Sequence, residues 1–184
     1  KLDELFSMSS ELGEEASMDI TGLIGQYAHG NEPSHHTTYM YAYSGEHYKI
    51  ADKVRYINNE LYTDKPDGLS GNEDCGQMSA WYILSSIGFY PVNPSNGAYV
   101  FGSPLFDEVT LNIPGQNKFK ISAKNNSDKN IYIQSVSLNG EDYKYSYITH
   151  KQILEGGELE FVMGPNPNKN FGSEKKYRPK SVVY

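Results

Sequence analysis

EHYKIADKVRYINNELY, residues 46–62, sets Ile50, Val54, Ile57 and Leu61 at steps of three and four. That spacing puts the four apolar side chains on one face of an α-helix. Past residue 97 the period changes. Val109, Leu111 and Ile113 in EVTLNI (108–113) alternate with polar neighbours, as do Phe119 and Ile121 in KFKISA (118–123). A period of two marks half-buried antiparallel strands. IYIQSVSL (131–138), YKYSYI (143–148) and ELEFVM (158–163) extend the series, separated by PSNG, IPGQN, NNSDKN, LNGED and EGGE as turn signals. In IYIQSVSL the alternation slips between Ile133 and Val136, which predicts a bulge. Asn139-Gly140 predicts a two-residue hairpin turn. The expected class is therefore α+β. Residues 1–96 are helical, 97–172 form an antiparallel β region, and 173–184 are a tail in a stretch rich in Pro, Asn and Lys from Gly164 onward.

Within the helical part, Leu2, Leu5 and Phe6 predict a short first helix. SSELGEEAS (9–17) reads as a polar loop. DITGLIGQYAHG (19–30) is broken by Gly22, Gly25 and Gly30, so short turns and tight packing are expected. Pro33 suits the first position of a helix over roughly 33–43, where its missing N–H is not needed, and Gly45 stops it. TDKPDGLSGNE (63–73) is a loop. Asp74 and Gln77 then form a variant capping box for a helix ending at Gly88.

The chain has 184 residues and carries 16 Lys+Arg against 23 Asp+Glu, a net charge of −7. The single basic cluster, KKYRPK (175–180), makes nucleic acid an unfavoured partner. No apolar run approaches the ~20 residues that a membrane-spanning helix requires. With one cysteine, Cys75, no intrachain disulfide forms, and a small buried role is expected for it. The chain opens on KLDELF without an initiator Met and with no signal peptide, which reads as an internal start. Apolar residues make up 38%, and 16 Tyr and 7 Phe add contact area, so a packed core is expected.

Titratable chemistry concentrates in GNEPSHH (30–36) and GNEDCGQ (71–77). Glu32 stands where a helix cap belongs, but Ser, Thr, Asp and Asn cap better, so a ligand role has about even weight. A helix N-terminus favours an anion, which suits an acceptor or metal ligand. His35 shares a helical face with Tyr39, and His36 with Met40; for either histidine a core or surface role outweighs a site role. No zinc-ligand spacing occurs. Asp64, Asp67, Asn72, Glu73 and Asp74 supply hard oxygens of the kind calcium takes, without EF-hand spacing. Against this, Asp74 with Gln77 is an adequate cap. Trp81 is expected to pack in the core. Asn125-Asn126-Ser127 is a formal glycosylation sequon. Two acid-bearing loops in front of helices are the equipment of glycoside hydrolysis.

GNEPSHH, PDGLSGNEDCGQMSAWYILSSIGFYPV and YVFGSPLFDEVTL closely resemble glycoside hydrolase family 92, from Lys1 to about Gly172. The resemblance implies calcium-dependent, inverting, exo-acting hydrolysis of terminal α-mannosides of N-glycans or mannan, with α-1,2 linkages foremost. It implies an N-terminal β-sandwich and an (α/α)6 barrel, of which this chain would supply the second-half helices. The rest of the same enzyme and a mannose-containing oligosaccharide are the implied partners, and the location would be periplasmic or secreted. The general base maps onto Asp74. Glu32 maps onto the calcium and sugar subsite, with Asn31 before it; Asn72, Glu73 and His35 join them as sugar-binding candidates. Asn72 stands where some members carry Asp, which leaves Asp74 as the better base. The family's general acid lies in a Glu-Gly-Asn motif upstream, and none occurs here; Glu15, in a polar loop, is a poor substitute. The isolated chain is expected to be inactive. The rival readings are a carbohydrate-binding module using the tyrosine-rich β half, and a structural domain.

Overall fold

The computed structural model describes residues 1–13, 20–115 and 117–181. Helix α1 spans Leu2–Ser7. The glycine-broken stretch folds as a small hairpin of β1 (Leu23–Ile24) and β2 (Tyr27–Ala28). Residues 33–43 are helical but do not form one helix. A 3-10 turn over Glu32–Ser34 is followed by another over Thr37–Met40, then by α2 (Tyr41–Ser44), which Gly45 ends. The cause is local. The Ser34 hydroxyl donates to the carbonyls of Ala28 and Asn31, at 2.6 and 2.7 Å, and so competes with helical bonding. The β-branched pair Thr37–Thr38 then resists regular α geometry.

α3 (Lys49–Glu60) forms on the predicted stripe, with Ile50, Val54 and Ile57 fully buried. α4 (Gln77–Ile87) ends at Gly88, whose backbone is left-handed. Ahead of α4 the expected cap is corrected. Gly76, not Asp74, is the cap residue. The Glu73 carboxylate accepts instead from the Ser79 amide (3.2 Å) and hydroxyl (2.9 Å). Gln77 turns inward.

Among the described residues the β region holds two sheets. β3 (Phe89–Asn93), β4 (Ala98–Phe101) and β9 (Tyr147–Thr149) form an antiparallel set of three. β3 and β4 were not expected from the sequence. Pro91 weakens β3 as a strand, and it sits where the register breaks between Tyr90 and Asn93. The larger sheet runs in the order β5 (Glu108–Asn112), β6 (Lys118–Lys124), β10 (Gly157–Gly164), β7 (Tyr132–Leu138) and β8 (Glu141–Asp142). It is mixed, not antiparallel throughout, because β10 inserts between β6 and β7 and lies parallel to β6. The bulge in β7 falls at Gln134, between Ser135 and Ile133, where the alternation slips. Asn139 and Gly140, with φ of 53° and 83°, make the predicted hairpin turn.

YKYSYI does not form one strand: residues 143–146 carry the chain from β8 in one sheet to β9 in the other. A short helix, α5 (His150–Leu154), follows. It was readable in Thr149-x-x-Gln152, a capping box that the structure realises. The expected tail is packed where it is described. The Tyr177 carbonyl accepts from the Ser146 amide (2.9 Å), and Phe171 meets His47 edge-on at 4.9 Å.

Two cores result. One gathers Phe101, Phe119, Ile121, Leu159, Phe161 and Met163 under the sheets. The other gathers Tyr27, Tyr39, Ile50, Tyr62, Met78 and Trp81 among the helices. Leu84 packs against both. Buried Arg55 of α3 fastens them further, donating to the Ser103 hydroxyl at 2.9 Å and to the Pro104 carbonyl and Asn126 side chain. None of the described helices is long and apolar enough to cross a membrane.

Candidate active site

The hairpin β1–β2 and the loop after α3 meet backbone to backbone. A side chain on Gly71 would come within 2.8 Å of the Gly30 Cα and carbonyl oxygen, so only glycine permits the contact. The Thr21 hydroxyl locks the pair by donating to the Ser70 carbonyl. The contact sets residues 31–32 beside residues 72–74. Together they line a cleft of about 620 Å³ whose wall includes Asn31, Glu32, Asn72 and Asp74. Four of the six residues expected at a site are thus brought together from segments forty positions apart.

Asp74 is exposed at this cleft in an unusual backbone. Asp74, Cys75 and Gly76 have φ of 46°, 58° and 92°, three left-handed residues in succession. For non-glycine residues that conformation carries strain of about 1–2 kcal/mol each, and such strain clusters at functional positions. The turn also overturns the expected burial of Cys75, which is exposed. Glu32 is half-buried on its 3-10 turn, and Asn31 and Asn72 are exposed.

Two candidates lie elsewhere. Glu73 is not among the cleft-lining residues, and its carboxylate is engaged by Ser79. His35, expected at the sugar, is instead 1% exposed beneath the loop, and both of its ring nitrogens are taken. Its Nε2–H donates to the His29 carbonyl at 3.0 Å, and its Nδ1 accepts from the Gln77 amide at 3.1 Å. The Trp81 indole N–H donates to the His35 carbonyl at 3.1 Å. Trp81 itself is fully buried, as expected. The His35 and His29 rings stack at 4.6 Å. Burial pushes His29 down to about 3 and lowers His35 as well, so both are neutral at ordinary pH. Glu15 lies outside the described residues.

Glu32 gives one hard carboxylate oxygen donor group. Among the described residues no group of three or more His, Cys, Asp or Glu side chains is arranged to hold a metal ion. Calcium takes about six to eight oxygens, so these residues alone do not make a calcium site.

Residues 1–165 match the glycosyl hydrolase family 92 catalytic domain. A family GH92 alpha-mannosidase from Bacteroides thetaiotaomicron, solved in complex with mannoimidazole, is 43% identical with a TM-score of 0.92 over 98% of this chain and 24% of its own. A family GH92 inverting mannosidase from the same organism is 36% identical with a TM-score of 0.84, over 98% of this chain and 26% of its own. An uncharacterized secreted glycosidase of Arthroderma benhamiae is 33% identical over 138 residues, 73% of this chain and 18% of that protein. The chain thus spans about a quarter or less of the length of these relatives. With its cleft-lining loops inside the matched stretch and 98% of its length aligned with solved members, the chain belongs to glycosyl hydrolase family 92.

Proposed function

We propose that this chain carries the water-activating part of an α-mannosidase site. Asp74 is the general base. Its carboxylate stands exposed at the cleft, open to a water and a sugar at once. Glu32, Asn31 and Asn72 line the same cleft and accept or donate hydrogen bonds to sugar hydroxyls. The observation that carries this reading is the Gly30–Gly71 contact, which sets Glu32 and Asp74 on one cleft.

The reaction is an inverting hydrolysis. An inverting site holds its acid and base about 6.5–9.5 Å apart, with the water on the base. The acid comes from a part of the protein outside this sequence, so the 184-residue chain alone turns over no mannoside. The substrate is a terminal α-mannoside of an N-glycan or mannan, with α-1,2 linkages the first to assay. The mannoimidazole bound by one relative and the mannosidase activity named for two support the sugar. The secreted relative supports export. Glu32 contributes one carboxylate to a calcium site completed by residues beyond this chain.

The test is Asp74→Asn in the full-length protein, assayed on an aryl α-mannoside. Loss of a general base lowers kcat by about 10²- to 10⁴-fold. An unchanged kcat removes Asp74 from the chemistry. Turnover by the isolated chain, abolished by the same substitution, refutes an external acid.

A further inference from the structure

Beneath the cleft runs a directional chain of hydrogen bonds whose members have one consistent assignment. Tyr62 donates to the Met78 carbonyl (3.0 Å), so its oxygen accepts from His29 Nε2–H (2.7 Å). His29 Nδ1 then accepts from the Tyr27 hydroxyl (2.9 Å). The backbone carbonyl of His29 accepts from His35 Nε2–H, which leaves His35 Nδ1 as an acceptor. Only the amide nitrogen of Gln77 supplies the donor there, and the same nitrogen donates to the Tyr90 hydroxyl at 3.1 Å. A carbonyl in one place thus fixes a tautomer, and the tautomer fixes which way Gln77 points.

The geometry of this chain matters for what it joins. His29 directly precedes Gly30, Asn31 and Glu32. Gln77 is the first residue of α4, three after Asp74. The His35 backbone is tied to α4 a second time by Trp81. The loop bearing Glu32 and the loop bearing Asp74 touch through Gly30 and Gly71, a contact flanked by the Thr21 hydroxyl on the Ser70 carbonyl. Below the surface they are joined by directional bonds through His35.

We infer that His35 and Gln77 are positioning residues: the Gln77 amide, donating to His35 Nδ1, sets Asp74 against Glu32 across the cleft. Neither side chain touches the sugar. The groups facing the His35 ring are the His29 imidazole, the Trp81 indole and the Gln77 amide, with exposed His36 next in the chain. No carboxylate bonds to it among the described residues, so an isosteric exchange at Gln77 adds a single new ionisable group.

The inference rests on the cleft being catalytic, and Asp74→Asn serves as the separate control for that. In the full-length enzyme, kcat and KM on an aryl α-mannoside are measured against pH for wild type, Gln77→Met and Gln77→Glu. Gln77→Met keeps the volume and removes the donor, and its kcat falls about tenfold or more at every pH, as expected for a misplaced reacting group. Gln77→Glu lacks a donor when ionised and regains one when it and His35 share a proton. Its activity relative to wild type therefore rises as pH falls, through an ionisation absent from wild type. A merely structural role produces no such recovery. Gln77→Glu decides the matter alone if Gln77→Met does not fold. Variants within twofold of wild type at all pH, or a Gln77→Glu deficit that is flat with pH, overturn the inference while an inactive Asp74→Asn leaves the base in place. A fully active Asp74→Asn overturns both.

Discussion

The two cores of this molecule are built from different materials. Under the sheets the buried side chains are almost all aliphatic or Phe, and the strands satisfy their own backbones. Among the helices Tyr and Trp share the core with aliphatic side chains, buried His29 and His35 lie against them, and nearly every one of those rings makes a hydrogen bond to a neighbour. Buried His29, His35, His47 and Arg55 all fall between residues 29 and 55. An apolar core is held by area and is indifferent to small rotations. A hydrogen-bonded aromatic core has direction, because a donor must meet an acceptor. The candidate site stands over the directional core, where loop positions need to be fixed most closely.

The comparison is broken most forcefully by Gly71→Ala. The added methyl meets the Gly30 backbone at 2.8 Å, and neither side is a flexible side-chain end. Separating the loops by even an ångström is expected to lower kcat of the full-length enzyme by about 10²-fold. The loss should exceed any change in melting temperature, as a thermal melt run beside the assay will show. Phe161→Ala is the converse. It empties a fully buried position of the apolar core and should remove about 3–5 kcal/mol of stability in a denaturant titration, while kcat of the folded enzyme stays near wild type.

Acid tests the buried histidines without a mutation. Burial holds His29 down to about 3 and His47 to about 4, against an unfolded value near 6.5. Both groups are neutral in either state above 6.5 and contribute no pH dependence there. Below it the unfolded chain takes up protons that the folded chain refuses. Stability is therefore lost as pH falls from 6.5 towards 3–4, at up to about 1.4 kcal/mol per pH unit for each histidine. Urea titrations at pH 7 and pH 5 measure it. His47→Phe should flatten the slope by its own share; an unchanged slope would assign the acid sensitivity elsewhere. The smallest effect is expected at the hairpin turn. Asn139→Ala, at a φ of 53°, should destabilise by about 1 kcal/mol and leave activity alone.

Much of this was legible in the residues. The α3 stripe, the slip at Gln134, the Asn139-Gly140 turn and the stop at Gly88 each follow from a local rule, and each stands where that rule puts it. The candidate cleft was legible in part: Asn31, Glu32, Asn72 and Asp74 were singled out and do share a wall. His35 and Glu73, expected at the sugar, do not line the cleft: one is buried and the other bonds Ser79. A histidine next to the site and a histidine under it have the same letters around them, and the choice was made by distant Gln77, Trp81 and His29. The Asp74–Gln77 capping pattern misled for a similar reason. Gly76 is the cap residue, the Glu73 carboxylate takes the Ser79 amide and hydroxyl, and Gln77 bonds inward to His35.

The sequence by itself determined the elements whose cause lies within a few residues: apolar period, turn dipeptides, glycine stops. It also carried the loop motifs from which the candidate cleft residues were chosen. Only the tertiary structure decided which strand lies beside which, so that β10 enters between β6 and β7 and runs parallel to one of them. Only it decided that Gly30 and Gly71 touch and that His35 turns into the core. The reason is range. Local backbone preference is fixed by adjacent atoms, whereas partner choice among strands, glycine contacts and buried hydrogen bonds depends on groups far away in the chain, brought close only once both cores have closed.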